Sequence, residues 1–564
     1  MADVTNELPD PTVPNIAVPP DVPENPHNTY WNLFNPSTGP WDRRVLFSAD
    51  KRGETFAYRP GEIVIPNSAF NAAVTLLSAD QGVLRPVRIA SSVSFTLLGG
   101  IADPITAARR LRTQGVPAQV NHVFFADGGV YPNPGGMPNP GGMPNPGGMP
   151  NPGGMPNPGG MPNPGGMPNP GAWYNGCGIP NPFSCACESN KCVHGTTPRR
   201  RAPRRTLARP AGETPLISSP PPIRQAIGNA DCVVVVIDTG VATPATVIPV
   251  ASPADRINAQ KVHNGTAPKL AAIAGNVAGA VSFPANQPIT ICRAGDWDDE
   301  DVDLDRFLGP YSGHGTFIAG LVNRIAPNAT IVSHRAMPSA GDVDDFHVGL
   351  AIDQVLVRLG RYPAAILNET NPSCDLGGLH DVPVIINLSF SGYAEDNDPP
   401  LCTQAAVNRA VSLQNQPVEE LGYQYREKGD VIIVASAGNN ADCRITWPAG
   451  FDHVNAIGAL NGSAPAWFTN YGKWVNACAQ GVEIVSNFYD TPMPPAAASR
   501  YREASDFNGW ATWSGTSFAA PIVAATLAQE VLTTGATPRV AVERLIEPPE
   551  LFRLEYLGTI INTY

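Results

Sequence analysis

The chain has 564 residues, too many for one ordinary domain, and its apolar fraction of 43% is enough for a sizeable core. Charged residues make up 15% and the net charge is −12, which argues against nucleic-acid binding, since a phosphate backbone demands concentrated positive charge. The 61 prolines and 54 glycines are unevenly spread and mark linkers rather than a wholly disordered chain.

The first residues, MADVTNELPDPTVPNIAVPPD, hold no basic segment followed by an apolar run, so no secretory signal is expected. No stretch approaches about 18 consecutive apolar residues, so no membrane span is expected either. Ten cysteines leave the compartment open between a reducing cytosol and export by a non-standard route. Residues 1–44 are rich in Pro, Asn and Asp without a period and read as a disordered arm.

Residues 45–128 read as a folded unit. GEIVIP is a strand pattern, SAFNAAVTLLSAD a helix and VRIASSVSFTLLG strand material. PITAARRLRTQG is a second helix closed by Gly115, and VNHVFFAD a last strand. This order suggests a small two-layer unit of ferredoxin-like type.

A linker follows over 129–224. From Pro132 the unit PNPGGM recurs six times. Glycine does not fall at every third position, which excludes a collagen helix, and the Gly-Gly pairs break any polyproline rod. About forty such residues span roughly 35 Å. Next come Cys177, Cys185, Cys187, Cys192 and His194, with a C-x7-C-x-C-x4-C spacing that fits zinc poorly and leaves local disulfides, zinc or unpaired thiols open. Arg199, Arg200, Arg201, Arg204, Arg205 and Arg209 read as a solvated basic linker or an exposed cleavage site. No aromatic residues interleave them, which disfavours nucleic acid.

From 225 to 545 strand-length Val/Ile runs such as CVVVVID, VPVIINLSF and VIIVASAGN alternate with helical stretches. Continuous apolar strands are buried on both faces, the mark of a parallel sheet between helices. In such α/β folds chemistry gathers at the carboxyl ends of strands and the amino ends of helices. Asp238 ends CVVVVID. His314 stands between two glycines at the start of GTFIAGLV. Ser517 opens SFAAPIVAATL, with Pro521 loosening that first helical turn. Each has an ordinary alternative as a turn former, a structural histidine or a helix cap. Together they offer an orienting acid, a proton shuttle and a nucleophile.

VIDTGV, GHGTFIAG and SGTSFAAP resemble, in this order, the three signature motifs of the subtilisin-like serine proteases, the subtilases. VIINLSFSG resembles their substrate-binding strand and VIIVASAGNN their oxyanion-hole segment. The resemblance implies a subtilisin-like α/β fold and an Asp238–His314–Ser517 triad with Asn439 as oxyanion donor. Ser389, Phe390, Ser391 and Gly392 are then expected to pair with an extended peptide, and Ala437 and Gly438 to line the pocket for the residue before the cut. Phe518 stands where Met is common, Ser391 where Gly is usual, and Asn440 where some relatives carry Glu.

The implied activity is peptide-bond hydrolysis through an acyl-enzyme, with polypeptide substrates and no nucleic-acid or membrane partner. No cofactor is required, and calcium is compatible with the family. Asp296, Asp298, Asp299, Glu300, Asp301, Asp303 and Asp305 read either as a solvated acidic loop or as a calcium site, although the EF-hand pattern is absent. The 45–128 unit is then expected to be a propeptide acting in cis, with the tether giving a millimolar-order effective concentration. Residues 546–564 read as a tail. The intact GHGT disfavours the sedolisin type, which uses a different acid partner. The competing non-enzyme reading is an inert subtilisin-fold scaffold or adhesion protein with a repeat stalk.

Overall fold

The computed structural model describes residues 45–78, 86–126, 209–210, 232–241, 289–291, 311–338, 340–362, 382–411, 430–488, 510–548 and 552–562. The N-terminal arm, the PNPGGM tract, the cysteine cluster, the arginine run up to Arg205 and the acidic segment 296–305 lie outside these residues.

The front unit runs β1 (Leu46–Ala49), β2 (Thr55–Pro66), α1 (Phe70–Ser78), β3 (Val87–Ser91), β4 (Phe95–Gly99), α2 (Pro104–Thr113) and β5 (Gln119–Ala126). Local chemistry sets the element ends. Asp103 caps α2 by accepting from the Thr106 N–H at 3.0 Å, with Pro104 at the first helical position. Gly115 follows the helix at a φ of 78°. The run VRIASSVSFTLLG folds back at Ser92, whose N–H donates to the Phe95 carbonyl at 2.8 Å. The strands pair antiparallel in the order β5-β2-β4-β3, with β1 also paired to β2. Phe56, Ile63, Ile65, Leu98, Ala108, Leu111 and Val120 form this unit's core.

The larger part begins with β6 (Arg209–Pro210), β7 (Val233–Asp238) and β8 (Ile289–Ile291). Then come α3 (His314–Ile325), β9 (Thr330–Arg335), β10 (Asp342–Asp344) and α4 (Asp345–Arg358). After β11 (Val384–Leu388) and β12 (Phe390–Ser391) follow α5 (Leu401–Val411), β13 (Val431–Ser436), β14 (Val454–Asn461), β15 (Ala464–Pro465), β16 (Ala477–Gln480) and β17 (Ile484–Asn487). The chain closes with β18 (Trp510–Trp513), α6 (Thr516–Thr534), α7 (Pro538–Leu545), β19 (Arg553–Leu554) and β20 (Gly558–Ile560). The central sheet has the order β19-β20-β16-β14-β13-β11-β7-β9-β8. Every neighbouring pair in it is parallel except β19 with β20.

Val233–Ile237 are fully buried, as their unbroken apolar run requires. Successive connections leave β7 in opposite directions, to β9 and then across to β11. The carboxyl end of β7 therefore lies at a topological switch point, where α/β sheets open a crevice. Helices α3 and α6 pack on each other, as do α4 and α5. Residues beyond 545 are more than a tail: β19 and β20 extend the central sheet, and Leu557 is buried.

Strand β5 continues past its own unit. Asp342, Val343 and Asp344 of β10 pair antiparallel with Phe125, Phe124 and Val123, and Phe390 and Ser391 of β12 pair with Ala126 and Phe125. Side chains alternate across this strand. Phe124 and Ala126 enter the main core, while Val123 and Phe125 stay with the front unit.

Candidate active site

Asp238 ends β7 and His314 begins α3, and both are fully buried. Asp238 Oδ1 lies 2.8 Å from His314 Nδ1 and also accepts from the Thr239 N–H at 2.7 Å. A carboxylate can only accept, so Nδ1 carries the hydrogen and Nε2 is left as the basic nitrogen. Among the described residues Nε2 has no hydrogen-bond partner.

The glycines beside His314 have separate reasons. Gly313 caps the helix at a φ of 78°, and a Cβ there would stand 2.2 Å from the Phe488 ring. A Cβ on Gly315 would stand 2.1 Å from the Gly240 carbonyl oxygen, so only glycine lets the helix start approach the turn after β7. The Gly315 N–H donates to Thr239 Oγ1 at 3.0 Å. Tyr311, Trp513 and Phe518 surround the imidazole, with ring centroids 5.3–5.9 Å from it. The sequence flagged Phe518 only as a departure; Tyr311 and Trp513 carried no motif signal.

Ser517 lies in the first turn of α6. Pro521 has no N–H to give the Ser517 carbonyl, and that carbonyl instead accepts from Ser389 Oγ at 2.8 Å. Ser517 Oγ donates in turn to the Ser389 carbonyl at 2.9 Å. Asn387 Nδ2 donates to Ser389 Oγ at 2.9 Å and fixes that hydroxyl. These bonds tie the substrate-strand motif to the helix start, a role for Ser389 that its motif did not suggest.

Asn439 follows β13. Its Oδ1 accepts from the Thr516 N–H at 3.0 Å and from Thr516 Oγ1 at 2.9 Å. This fixes the amide orientation, so the Nδ2 donor is the prong turned away from Thr516. Gly438 has a φ of 103°, donates to Thr516 Oγ1 at 3.2 Å and approaches Asn470 too closely for a Cβ. Asn470 Oδ1 accepts from the N–H groups of Asn440 and Asp442 at 2.9 and 3.1 Å. Thr446 Oγ1 donates to the Ala437 carbonyl. Thr516 and Asn470, neither of them expected, thus shape the Ala437–Asn440 bend. The Ser391 hydroxyl lies 3.1 Å from where a Gly438 Cβ would be. Gly392 exchanges both backbone hydrogen bonds with Trp447. Among the described residues no group of three or more His, Cys, Asp or Glu is placed to hold a metal ion, and no helix is long and apolar enough to cross a membrane.

The model of the subtilase family matches residues 229–545. The chain belongs to the subtilase family. Subtilases are serine peptidases, and the matched residues contain all three signature motifs. Over 94 residues the chain is 37% identical to the "Thermophilic serine proteinase" of Bacillus sp. (strain AK1), covering 16% of this chain and 19% of that protein. Over 235 residues it is 25% identical to the "Subtilisin-like serine protease Rho m 2.0101" of Rhodotorula mucilaginosa, covering 41% and 52%. The matches therefore span about a fifth and about half of these curated relatives. A solved structure of a cold adapted subtilisin-like serine proteinase aligns with a TM-score of 0.35 and 20% identity, over 61% of this chain and 96% of that one.

Polar contacts join the front unit to the larger part of this subtilase. Arg59 pairs with Asp342 and Asp344, Arg109 and Arg112 with Glu395, and Arg444 with Glu54. His122 Nε2 accepts from the Glu395 N–H at 3.0 Å. Burial, with the Arg112 and Arg444 guanidiniums nearby, pushes the His122 pKa down to about 3.

Proposed function

We propose that the chain is a serine endopeptidase made as a zymogen, with Asp238, His314 and Ser517 as its triad and residues 45–128 as a ferredoxin-like propeptide. The observation that carries this reading is the 2.8 Å contact from Asp238 to His314 Nδ1, which leaves Nε2 as the basic nitrogen of a ring that packs on Phe518, the residue after Ser517. In catalysis the Ser517 hydroxyl turns from the Ser389 carbonyl to His314 Nε2. It gives up its proton there and attacks the scissile carbonyl. His314 then protonates the leaving amine, and water hydrolyses the acyl-enzyme by the same route. The developing oxyanion is met by Asn439 Nδ2 and by the N–H of Ser517, at the helix start where the macrodipole places partial positive charge.

Polypeptide substrates are expected to add a strand between β10 and β12, on Ser389–Gly392, with Ala437 and Gly438 beside the residue before the cut. The front unit supports its own role as inhibitor in cis. Its strands follow the ferredoxin-like order, and β5 already pairs with Ser391 as a substrate would. The carboxylates of 296–305 are the candidate calcium ligands, with a solvated acidic loop as the other reading.

Fluorophosphonate labelling tests the assignment. Protein cleaved in the spacer is expected to label at Ser517 and to hydrolyse casein, and Ser517→Ala to do neither. Absence of both in the parent protein selects the inert-scaffold reading.

A further inference from the structure

Strand β10 borders the cleft, and two of its three residues are aspartates. Directly paired residues of an antiparallel ladder share a face, with Cβ atoms about 5 Å apart. Val343 and Phe124 are paired and belong to the main core. Asp342 pairs with Phe125 and Asp344 with Val123, on the opposite face, which the front unit covers. A cation meets them there. Arg59 of β2 lies 2.6 Å from Asp342 Oδ2 and 3.4 Å from Asp344 Oδ2, and none of the three side chains is more than 2% exposed. The second oxygen of Asp344 caps α4 at the His347 N–H and contacts His347 Nδ1. The occupied cleft thus holds a guanidinium against both carboxylates, and Arg59 leaves when the front unit leaves.

We propose that Asp342 and Asp344 select basic side chains at the third and fifth residues before the scissile bond. This rests on the serine-endopeptidase reading. A substrate strand in the register of β5 sets one side chain opposite Asp342 and Ser391, and another, two residues earlier, opposite Asp344. Two residues past the first, the strand faces Ser389, whose carbonyl receives the Ser517 hydroxyl, so the bond attacked follows there. The front unit has apolar Phe125 and Val123 at the two positions and delivers its charge from the neighbouring strand β2. A linear peptide has no neighbouring strand, so its own side chains must supply the cation. The substrate class is an extended peptide with Arg or Lys at these places.

The test uses the full-length chain, activated by cleavage in the spacer, on quenched peptides that differ only by Arg, Ala or Glu at the third or fifth residue. Mass spectrometry identifies the bond cut. Arg is expected to exceed Glu by about tenfold in kcat/KM at each position, and the ratio to fall toward one at about 1 M salt. Asp342→Asn is expected to abolish the ratio at the third residue and Asp344→Asn at the fifth, where Asn keeps the helix cap. Equal rates for Arg and Glu in the parent enzyme, or ratios that survive both substitutions, overturn the proposal. Labelling of Ser517 in the same sample separates the two readings. Labelled enzyme without charge discrimination refutes only the role of the aspartates. Unlabelled protein that cuts nothing refutes the endopeptidase reading, and this inference with it.

Discussion

Acid is expected to loosen the front unit through His122. In the docked state the imidazole is fully buried, accepts from the Glu395 N–H and lies near Arg112 and Arg444. Protonation would destroy the acceptor and add a third positive charge. Glu395 is already shared by Arg109 and Arg112, and Glu54 is taken by Arg444, so neither carboxylate is spare. The docked pKa is about 3, against an ordinary value of 6.5. A histidine whose pKa is depressed in the docked state stabilises that state above the free value and loses this as pH falls below it. Each unit of pH between 6.5 and 3 then costs about 1.4 kcal/mol, so undocking rises about tenfold per unit.

Cys402 reports the change. It is buried in a cluster with Val64, Phe95 and Leu97 of the front unit. Its reaction with a pyridyl disulfide, normalised to a cysteine peptide, is expected to rise about 15-fold from pH 6.5 to pH 5, because the free imidazole is already half protonated at pH 6.5. His122→Gln, which keeps an acceptor but does not titrate, is expected to be much flatter. Asp345, which burial raises to about 6 against hydrogen bonds from Thr403 and Cys402, is common to both proteins and cancels in the comparison. A parent rate independent of pH, or an equal slope in the variant, refutes the argument.

Asn439→Ala is expected to lower kcat about 10²–10³-fold with little change in KM, because the amide acts on charge that develops only in the transition state. Thr516→Val, which removes the hydroxyl that orients that amide, is expected to cost roughly tenfold in the same steady-state assay. Gly315→Ala drives a methyl into the Gly240 carbonyl and is expected to destabilise by about 3 kcal/mol or more in denaturant melts. A peptide bound in the register of the Phe390–Ala126 pair would set its next residue opposite Ser389, and in this chain that residue in sequence is Asp127. The mature N-terminus is therefore expected at Gly128, and an intact Met1 in fully active protein refutes the propeptide reading.

Much of the larger part was legible along the chain, because its signals are local. An unbroken run such as CVVVVID, bounded by turn signals and set among helical stretches, marks a strand buried on both faces of a parallel sheet. GHG is glycine-flanked because the helix start meets Phe488 and Gly240, and Pro521 announces a freed carbonyl at residue 517. Periodicity likewise marked the strands and helices of the front unit in order, although β1 escaped notice as a short segment without alternation. The extension of the sheet beyond 545 was missed because β19 and β20 are only two and three residues long.

Which strand pairs with which is not local. The backbone of β5 carries the same donors and acceptors as any other strand, and nothing in VNHVFFAD names β10 and β12, more than 200 residues away, as its partners. The tertiary fold settled that pairing, and with it the burial of His122, the meeting of Arg59 with Asp342 and Asp344, and the mutual hydrogen bonds of Ser389 and Ser517. Burial and charge pairing belong to positions in space. A sequence lists the groups that can take part, and folding selects which of them are withdrawn together from water.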